Sequence, residues 1–328
     1  LEKGWGFTLA GSYKRGNGFV DETWSEGYFY YAKIQKELGS HILSLSVMGA
    51  PQKHGQRSYK SNIYAYDTSY ANSLGIGDSI NYENVDILNQ GINYNKHWGH
   101  LDRWTLDVNG DTIHARETLN TKQNYFHKPQ YSLRHFWVVN EKVYVSNIAY
   151  ASIGNGGGTG INGNTNNYDI FGQYNLQEAY NGNRGNIDPL YSDSEFKSST
   201  YLRSSINNHY WYGGLSTLNY QANDQTSISG GIDIRKYKGE HYREVYDLLG
   251  GDYAIDESNN VQSSQIKDIG DIVGYHNDGH VKWIGGFGQI EYNNDKISTF
   301  LNISGANSGY KRHDYFKKKD LVLEDTTF

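Results

Sequence analysis

The feature that most constrains this chain is a two-residue alternation of apolar and polar side chains, sustained over long segments. In Gly4–Lys14, Trp5, Phe7, Leu9 and Tyr13 share one face and Thr8, Ala10 and Ser12 the other. In Tyr28–Leu38, Tyr28, Tyr30, Ala32, Ile34 and Leu38 oppose Lys33, Gln35 and Glu37. His41–Ala50 sets Leu43, Leu45 and Val47 against Ser44 and Ser46. Thr226–Lys236 sets Ile228, Ile232 and Ile234 against Ser227, Ser229, Asp233 and Arg235, and Ile297–Ile303 repeats the pattern. A period of two places alternate side chains on opposite faces of a strand. Weaker versions at Phe126–Val139, Lys142–Ile153, Asn207–Gln221 and Lys282–Asn293 bring the expectation to nine strands. Most run to about 10–14 residues, where strands of soluble sheets usually have five or six.

The connections alternate in length. Short polar turns lie at Ser40, Asn140, Asn223 and Asn294, and long connections cover Arg15–Gly27, Pro51–Tyr125, Gly154–Ser205 and Tyr237–Val281. Connections this long are uncommon in compact soluble domains. A meander with tight turns at one end and long loops at the other is the pattern of transmembrane barrels. On that pattern the four turns are periplasmic, and Asn72, Asn164 and Asn260 lie outside the cell. No apolar helical run with a start signal is evident, and no repeat of fixed period.

Composition narrows the choice. Of 328 residues, 30 are Tyr and 38 Gly, with only 3 Pro, 1 Met and no Cys. That excludes a disulfide scaffold, a Cys-ligated metal and a thiol nucleophile. With 30 basic against 36 acidic residues, the net charge of −6 argues against nucleic-acid binding. The mean hydropathy is −0.75 and no run of 18 apolar residues exists, so no transmembrane helix is expected. A barrel strand, apolar on one face only, escapes that test. Because the first residue is Leu1 and no signal segment precedes it, the chain reads as a piece of a longer protein.

Aromatic clusters sit at strand ends: Tyr28–Tyr31, Tyr210–Tyr212, and Trp5 with Phe7. Barrels carry aromatic girdles at both membrane interfaces, although Tyr and Trp also favour strands in a soluble sandwich. Glycines such as Gly11, Gly213, Gly230 and Gly285 would let a sheet bend. In the membrane reading Leu43, Leu45, Val47, Ile228, Ile232 and Ile234 face lipid.

Several stretches resemble the barrel of Bacteroidota-type TonB-dependent outer-membrane receptors: Asn124–Trp137, Ala149–Gly160, Asn207–Tyr220 and Lys238–Tyr253, with the opening Trp5–Tyr13. The resemblance implies an all-β fold, part of a large antiparallel transmembrane β-barrel of 22 strands, whose lumen a plug fills. It implies that residues 1–328 are the central part of the barrel domain, with the plug, the TonB-contacting segment and the other strands outside this chain. It further implies import of a scarce nutrient (an iron chelate, haem, a vitamin or a glycan) in the cell outer membrane. The partners would be that nutrient at the outer mouth, TonB, outer-membrane lipid and a surface lipoprotein, with no nucleic acid. A passive porin and a secreted β-sandwich that binds glycans are the alternatives. Leu321–Thr327 lacks alternation, so it is not read as a strand closing on Phe328.

No motif points to an enzyme. Gly158, Gly160 and Gly163 match the spacing of a dinucleotide loop, but no apolar helix follows to aim its dipole at phosphate. Gly-x-Ser-x-Gly and His-Glu-x-x-His are absent. The pairs Asp21–Glu22 and Asp188–Asp193 have no spacing that specifies catalysis. His97 with His100, and His276 with His280, are paired imidazoles without a carboxylate in a recognised metal spacing. Asp247, Asp252, Asp256 and Glu257 form an acidic stretch, the one place where a Ca²⁺ ion would fit, and no other cofactor is expected. Ligand capture is expected from loop aromatics and polar groups: His97, Trp98, His100, Tyr242, Arg243 and Tyr253.

Overall fold

Alternation becomes a wall once each strand finds its neighbour. The computed structural model describes residues 2–58, 61–76, 87–164, 167–259, 264–316 and 321–325. In chain order the wall begins with β1 (Trp5–Gly16), β2 (Ser25–Leu38), β3 (His41–Gly49) and β4 (Gln52–Gly55). A long excursion follows, with α1 (Ile63–Tyr66), α2 (Thr68–Ser73) and the hairpin β5 (Trp98–Leu106) and β6 (Thr112–Asn120). The wall resumes as β7 (Gln123–His127), β8 (Gln130–Asn140) and β9 (Val143–Asn162). After α3 (Leu176–Asn183) and β10 (Lys197–Ser198) come β11 (Tyr201–Asn223) and β12 (Thr226–Asp247). The short β13 (Tyr253–Ile255) and β14 (Ile266–Lys267) precede β15 (Ile272–Asn293), β16 (Ser298–Asp314) and β17 (Leu321–Asp325).

Every wall pairing is antiparallel. The wall meanders in the order β1-β2-β3-β8-β9-β11-β12-β15-β16-β17. β4 and β7 prolong β3 and β8 beyond Pro51 and Pro129: β4 pairs with β2 and β7, and β7 pairs with β9. Proline donates no ladder hydrogen bond, so the strand is interrupted there and then continues. All nine expected strands are present. Leu321–Asp325 adds a tenth, against the sequence expectation: it pairs with Tyr310–Asp314 through its backbone, which requires no alternation. Phe328 lies outside the described residues.

The register assigns the faces. Leu45 pairs with Leu133, Leu133 with Ala149, Ala149 with Gly214, Gly214 with Ile234, and Ile234 with Ile284. One face therefore runs unbroken across six strands, and it carries Leu43, Leu45, Val47, Ile228, Ile232 and Ile234 together. Val47 is half-buried, and the other five stand exposed, as do Leu9 at 83% and Ile303 at 69%. Trp5, Trp137, Tyr220 and Tyr292 border this band near the tight turns. Tyr13, Tyr28, Tyr131 and Tyr212 border it toward the loops. The opposite face carries Ser44, Ser46, Ser132, Arg134, Asp233 and Arg235. It is concave: residues of that face from Ile42 in β3 to Gln289 in β15 line one hollow of about 830 Å³. The architecture is part of the wall of a large antiparallel β-barrel.

The strands are longer than alternation indicated. β9, β11, β12 and β15 each have 20–23 residues and run far into stretches expected to be loop. The cause is packing on both faces. Leu202 and Tyr201, neighbours in β11, point to opposite faces and enter two separate cores. Leu202 joins Leu101, Leu119, Tyr174, Leu176, Tyr180 and Leu249. Tyr201 joins Val245, Leu248, Ala254 and Val273. With both faces covered, the polar half of the alternation disappears. The glycine-rich run of β9 has a related cause. A Cβ at Gly157 would lie 2.7 Å from the Tyr125 hydroxyl, and one at Gly154 would lie 2.6 Å from His209 Nε2. The stretch expected to open a long connection is a strand stripped of side chains so that its neighbours can lie across it.

Helices are short, but α3 carries a start signal. The Asn175 side chain caps it, accepting from Glu178 N at 3.1 Å, and its amide donates to Glu178 Oε2 at 2.9 Å, while the Asn175 backbone N–H donates to Asn167 O.

Candidate functional site

The tight turns at one end are two to four residues long, and the long connections all lie at the other end. There the connections fold into a packed cap on the tops of β9, β11 and β12. Asn183, buried at the end of α3, is its hub. Its amide donates to the carbonyls of Thr200, Leu248 and Leu249 at 2.7, 3.2 and 2.9 Å. Its oxygen accepts from Ser199 N at 3.0 Å. Arg103 of β5 reaches Asp247 at the top of β12 through two bonds, of 3.2 and 2.5 Å, and Glu117 at 2.6 Å. Arg184 lies 4.0 Å over the Trp104 ring. These groups fasten the excursion to the wall.

The residues expected to capture ligand occupy different environments. His97 is buried at 1% exposure, edge-on to Tyr174, and its Nε2 faces the Ser58 carbonyl. Burial pushes its pKa down to about 4, with Lys122 and Lys96 adding to the shift against that hydrogen bond. Trp98 is half-buried and meets His100 edge-on at 5.5 Å. His100 is exposed, 3.3 Å from the Thr118 hydroxyl, and borders a groove of about 510 Å³ with Asp102, Arg116 and Gln177. Tyr242 stands on the convex face, edge-on to His276 at 5.6 Å. Arg243 stands on the concave face, its guanidinium 5.3 Å over Tyr275. Tyr253 is buried in β13 beside Lys197 of β10.

The acidic stretch disperses. Asp247 binds Arg103 and accepts from Leu249 N at 2.8 Å. Asp252 accepts from Phe196 N at 2.8 Å. Asp256 accepts from Gly274 N at 2.8 Å and from the Ser258 hydroxyl, and Glu257 accepts from the Tyr191 hydroxyl at 3.4 Å. Among the described residues no three His, Asp or Glu side chains come together in a way that could hold a metal ion. Asn260 lies outside the described residues.

A grouping that sequence reasoning missed lies on the concave face. Lys122, just before β7, and Arg203 of β11 converge over Gly160: a Cβ there would stand 3.2 Å from Lys122 Nζ and 3.0 Å from Arg203 Nη2. Arg203 also donates to the Ser205 hydroxyl at 3.0 Å. Arg243, on the same face, lies over Gly274, which has a φ of +76°. Burial lowers the Lys122 pKa, and Arg203 and Arg243 lower it further. Three cations within electrostatic reach of one another, over glycines that leave them room, favour an anion that could sit among them. Positions 122, 203 and 243 are far apart in sequence, and register alone brings them together.

No family model and no curated protein matches the chain. Two solved structures of the ferric-catecholate import receptor Fiu from E. coli K12 resemble it in fold. The closed form gives a TM-score of 0.48 at 11% identity, covering 95% of this chain and 44% of that one. The open form gives 0.45 at 10% identity, covering 96% of this chain and 48% of that one. The chain spans less than half the length of either.

Proposed function

We propose that this chain is wall from an outer-membrane receptor that imports a scarce nutrient with energy delivered through TonB, and that a plug lies elsewhere in the same protein. The observation that supports it most is the two-sided wall. An apolar convex band bordered by aromatic residues suits lipid, and a polar, charged concave face suits a wet or plug-filled lumen. On this reading the tight turns are periplasmic and the packed cap is outside the cell. The cap would work as a ligand-reading surface. Lys122, Arg203 and Arg243 face the lumen, where an anionic nutrient would pass. His100, with Trp98 beside it, borders the outer groove. His97, Tyr242 and Tyr253 would shape the surroundings, and a surface lipoprotein of the Bacteroidota kind would cover the cap. The chemistry is binding and passage, not bond-making.

The test uses the complete protein in its native host. Its gene and, separately, that of TonB are deleted, and uptake of labelled iron chelates, haem, cobalamin and oligosaccharides is measured. Matching loss of one substrate in both strains supports the receptor. Loss on deleting the protein but not TonB points to a porin. Recovery of the protein in the soluble fraction without detergent would overturn the membrane assignment.

A further inference from the structure

On the convex face, immediately loopward of Ile234 and Ile284, the next inward register pair is Lys236 opposite Lys282. Both are exposed, and among the described residues neither has a carboxylate partner. Like charges directly opposite each other across two strands destabilise the pairing. The next pair in the same direction on this face is Lys238 opposite His280, and His280 is in turn opposite Lys311 of β16. Lys236, Lys238 and Lys311 all lie within electrostatic reach of that imidazole. Two acids of this row, Glu240 and Asp278, both bind Lys238, at 2.7 and 3.0 Å, and the backbone register of β17 sets Glu324 opposite Lys311. Among the described residues, the Lys236–Lys282 pair is left with two positive charges facing each other and no carboxylate bound to either.

What borders the pair indicates what would. Ile234 and Ile284, 51% and 56% exposed, begin the apolar band directly beneath, and Tyr212 of the loopward aromatic border is the register partner of Lys236. Charge next to hydrocarbon, with a tyrosine between, is the arrangement that meets a lipid at its headgroup. A free phosphate would find the same charges but would gain nothing from the isoleucines.

We propose that Lys236 and Lys282 form a binding site for the phosphate of an anionic membrane lipid, whose acyl chain lies along Ile234 and Ile284. The proposal rests on the membrane reading above. It gives the wall a defined depth in the bilayer at this position.

The complete protein, purified in a neutral detergent, is titrated with phosphatidylglycerol or phosphatidylcholine, and retained lipid is counted by native mass spectrometry. The parent should retain phosphatidylglycerol in preference to phosphatidylcholine. The double variant Lys236→Gln/Lys282→Gln should lose that preference by roughly tenfold or more, since each surface lysine contributes substantially to anionic-lipid attraction. Lys236→Arg/Lys282→Arg should keep it, and inorganic phosphate at equal concentration should not compete. Unchanged retention in the Gln variant, or full displacement by inorganic phosphate, overturns the lipid site while leaving the receptor reading intact. A protein that stays dispersed without detergent and retains neither lipid overturns both.

Discussion

The turnward and loopward halves of the same strands solve opposite problems. In the turnward half, apolar side chains on the convex face stand in the open: Ile232 is 60% exposed and Leu301 62%. In the loopward half, the same strands bury Leu202 and Val245 almost completely. One β-strand can therefore change partners along its length, from solvent of one kind to packed protein of another. The difference separates two sources of stability. The turnward half has backbone ladders and needs an apolar surrounding for its convex face. The loopward half carries its own cores.

The sharpest way to break this comparison is to exchange polarity in the turnward half. Leu45→Arg should destabilise the inserted protein by about 2–4 kcal/mol if the residue meets the bilayer midplane. Ser46→Leu, on the concave face, should cost much less. Urea unfolding of the complete protein in lipid vesicles measures both. If Leu45→Arg inserts and resists urea like the parent while Ser46→Leu fails, the faces are reversed.

The loopward half should respond to acid where the turnward half does not. Burial holds the His97 pKa at about 4, below its ordinary value near 6.5. The neutral ring is the folded form, so its contribution is full above pH 6.5 and is lost as pH falls from there toward 4. A shift of that size corresponds to about 3 kcal/mol. Hydrogen exchange should show residues 94–121 opening over that window, with the ladder between β12 and β15 still protected near the turns. His97→Gln should flatten the pH dependence. A uniform response of both halves would refute the separation.

Asn183 tests whether the cap is one unit. Asn183→Ala removes the amide donor from the carbonyls of Thr200, Leu248 and Leu249, of which Leu248 O keeps the Ser198 hydroxyl, at a cost of about 1–3 kcal/mol. The loss should be local. Limited proteolysis should cut within residues 184–196 and 249–259 sooner than in the parent, while the wall remains inserted. Proteolysis no faster than in the parent would mean that Arg103 and the apolar cluster hold the cap unaided.

Legibility in the sequence divides along the same line. Where one face meets a uniform surrounding, alternation gives strand, face and turn, as Leu43–Val47 and Ile228–Ile234 illustrate. Where both faces are packed, the period vanishes, so residues 154–162 and 201–205 read as loop although they are strand. The strand Leu321–Asp325 pairs in backbone register with β16, and its sequence carries no apolar–polar alternation to read. The candidate site was harder still. Arg243 stood out as an aromatic-flanked loop cation, yet its neighbours Lys122 and Arg203 are set beside it by register across four strands. The acidic stretch shows the converse: proximity in sequence suggested a common site, and each carboxylate instead serves a different backbone or side-chain partner.

The smallest effect isolates the backbone in the turnward half. Gly39 closes the turn between β2 and β3 with a φ of +61°, and an added Cβ would find nothing within 4 Å. Its requirement is therefore conformational and not steric contact. Gly39→Ala should cost about 1 kcal/mol, the penalty for an L-residue in the left-handed region, while Gly39→Asn should recover most of that loss. Both are read from urea midpoints in the same vesicles, with unchanged slopes. If alanine and asparagine cost the same, the turn does not depend on the left-handed geometry. If either shifts exchange in the cap, the two halves of the wall are coupled after all, and the comparison fails at its least expensive test.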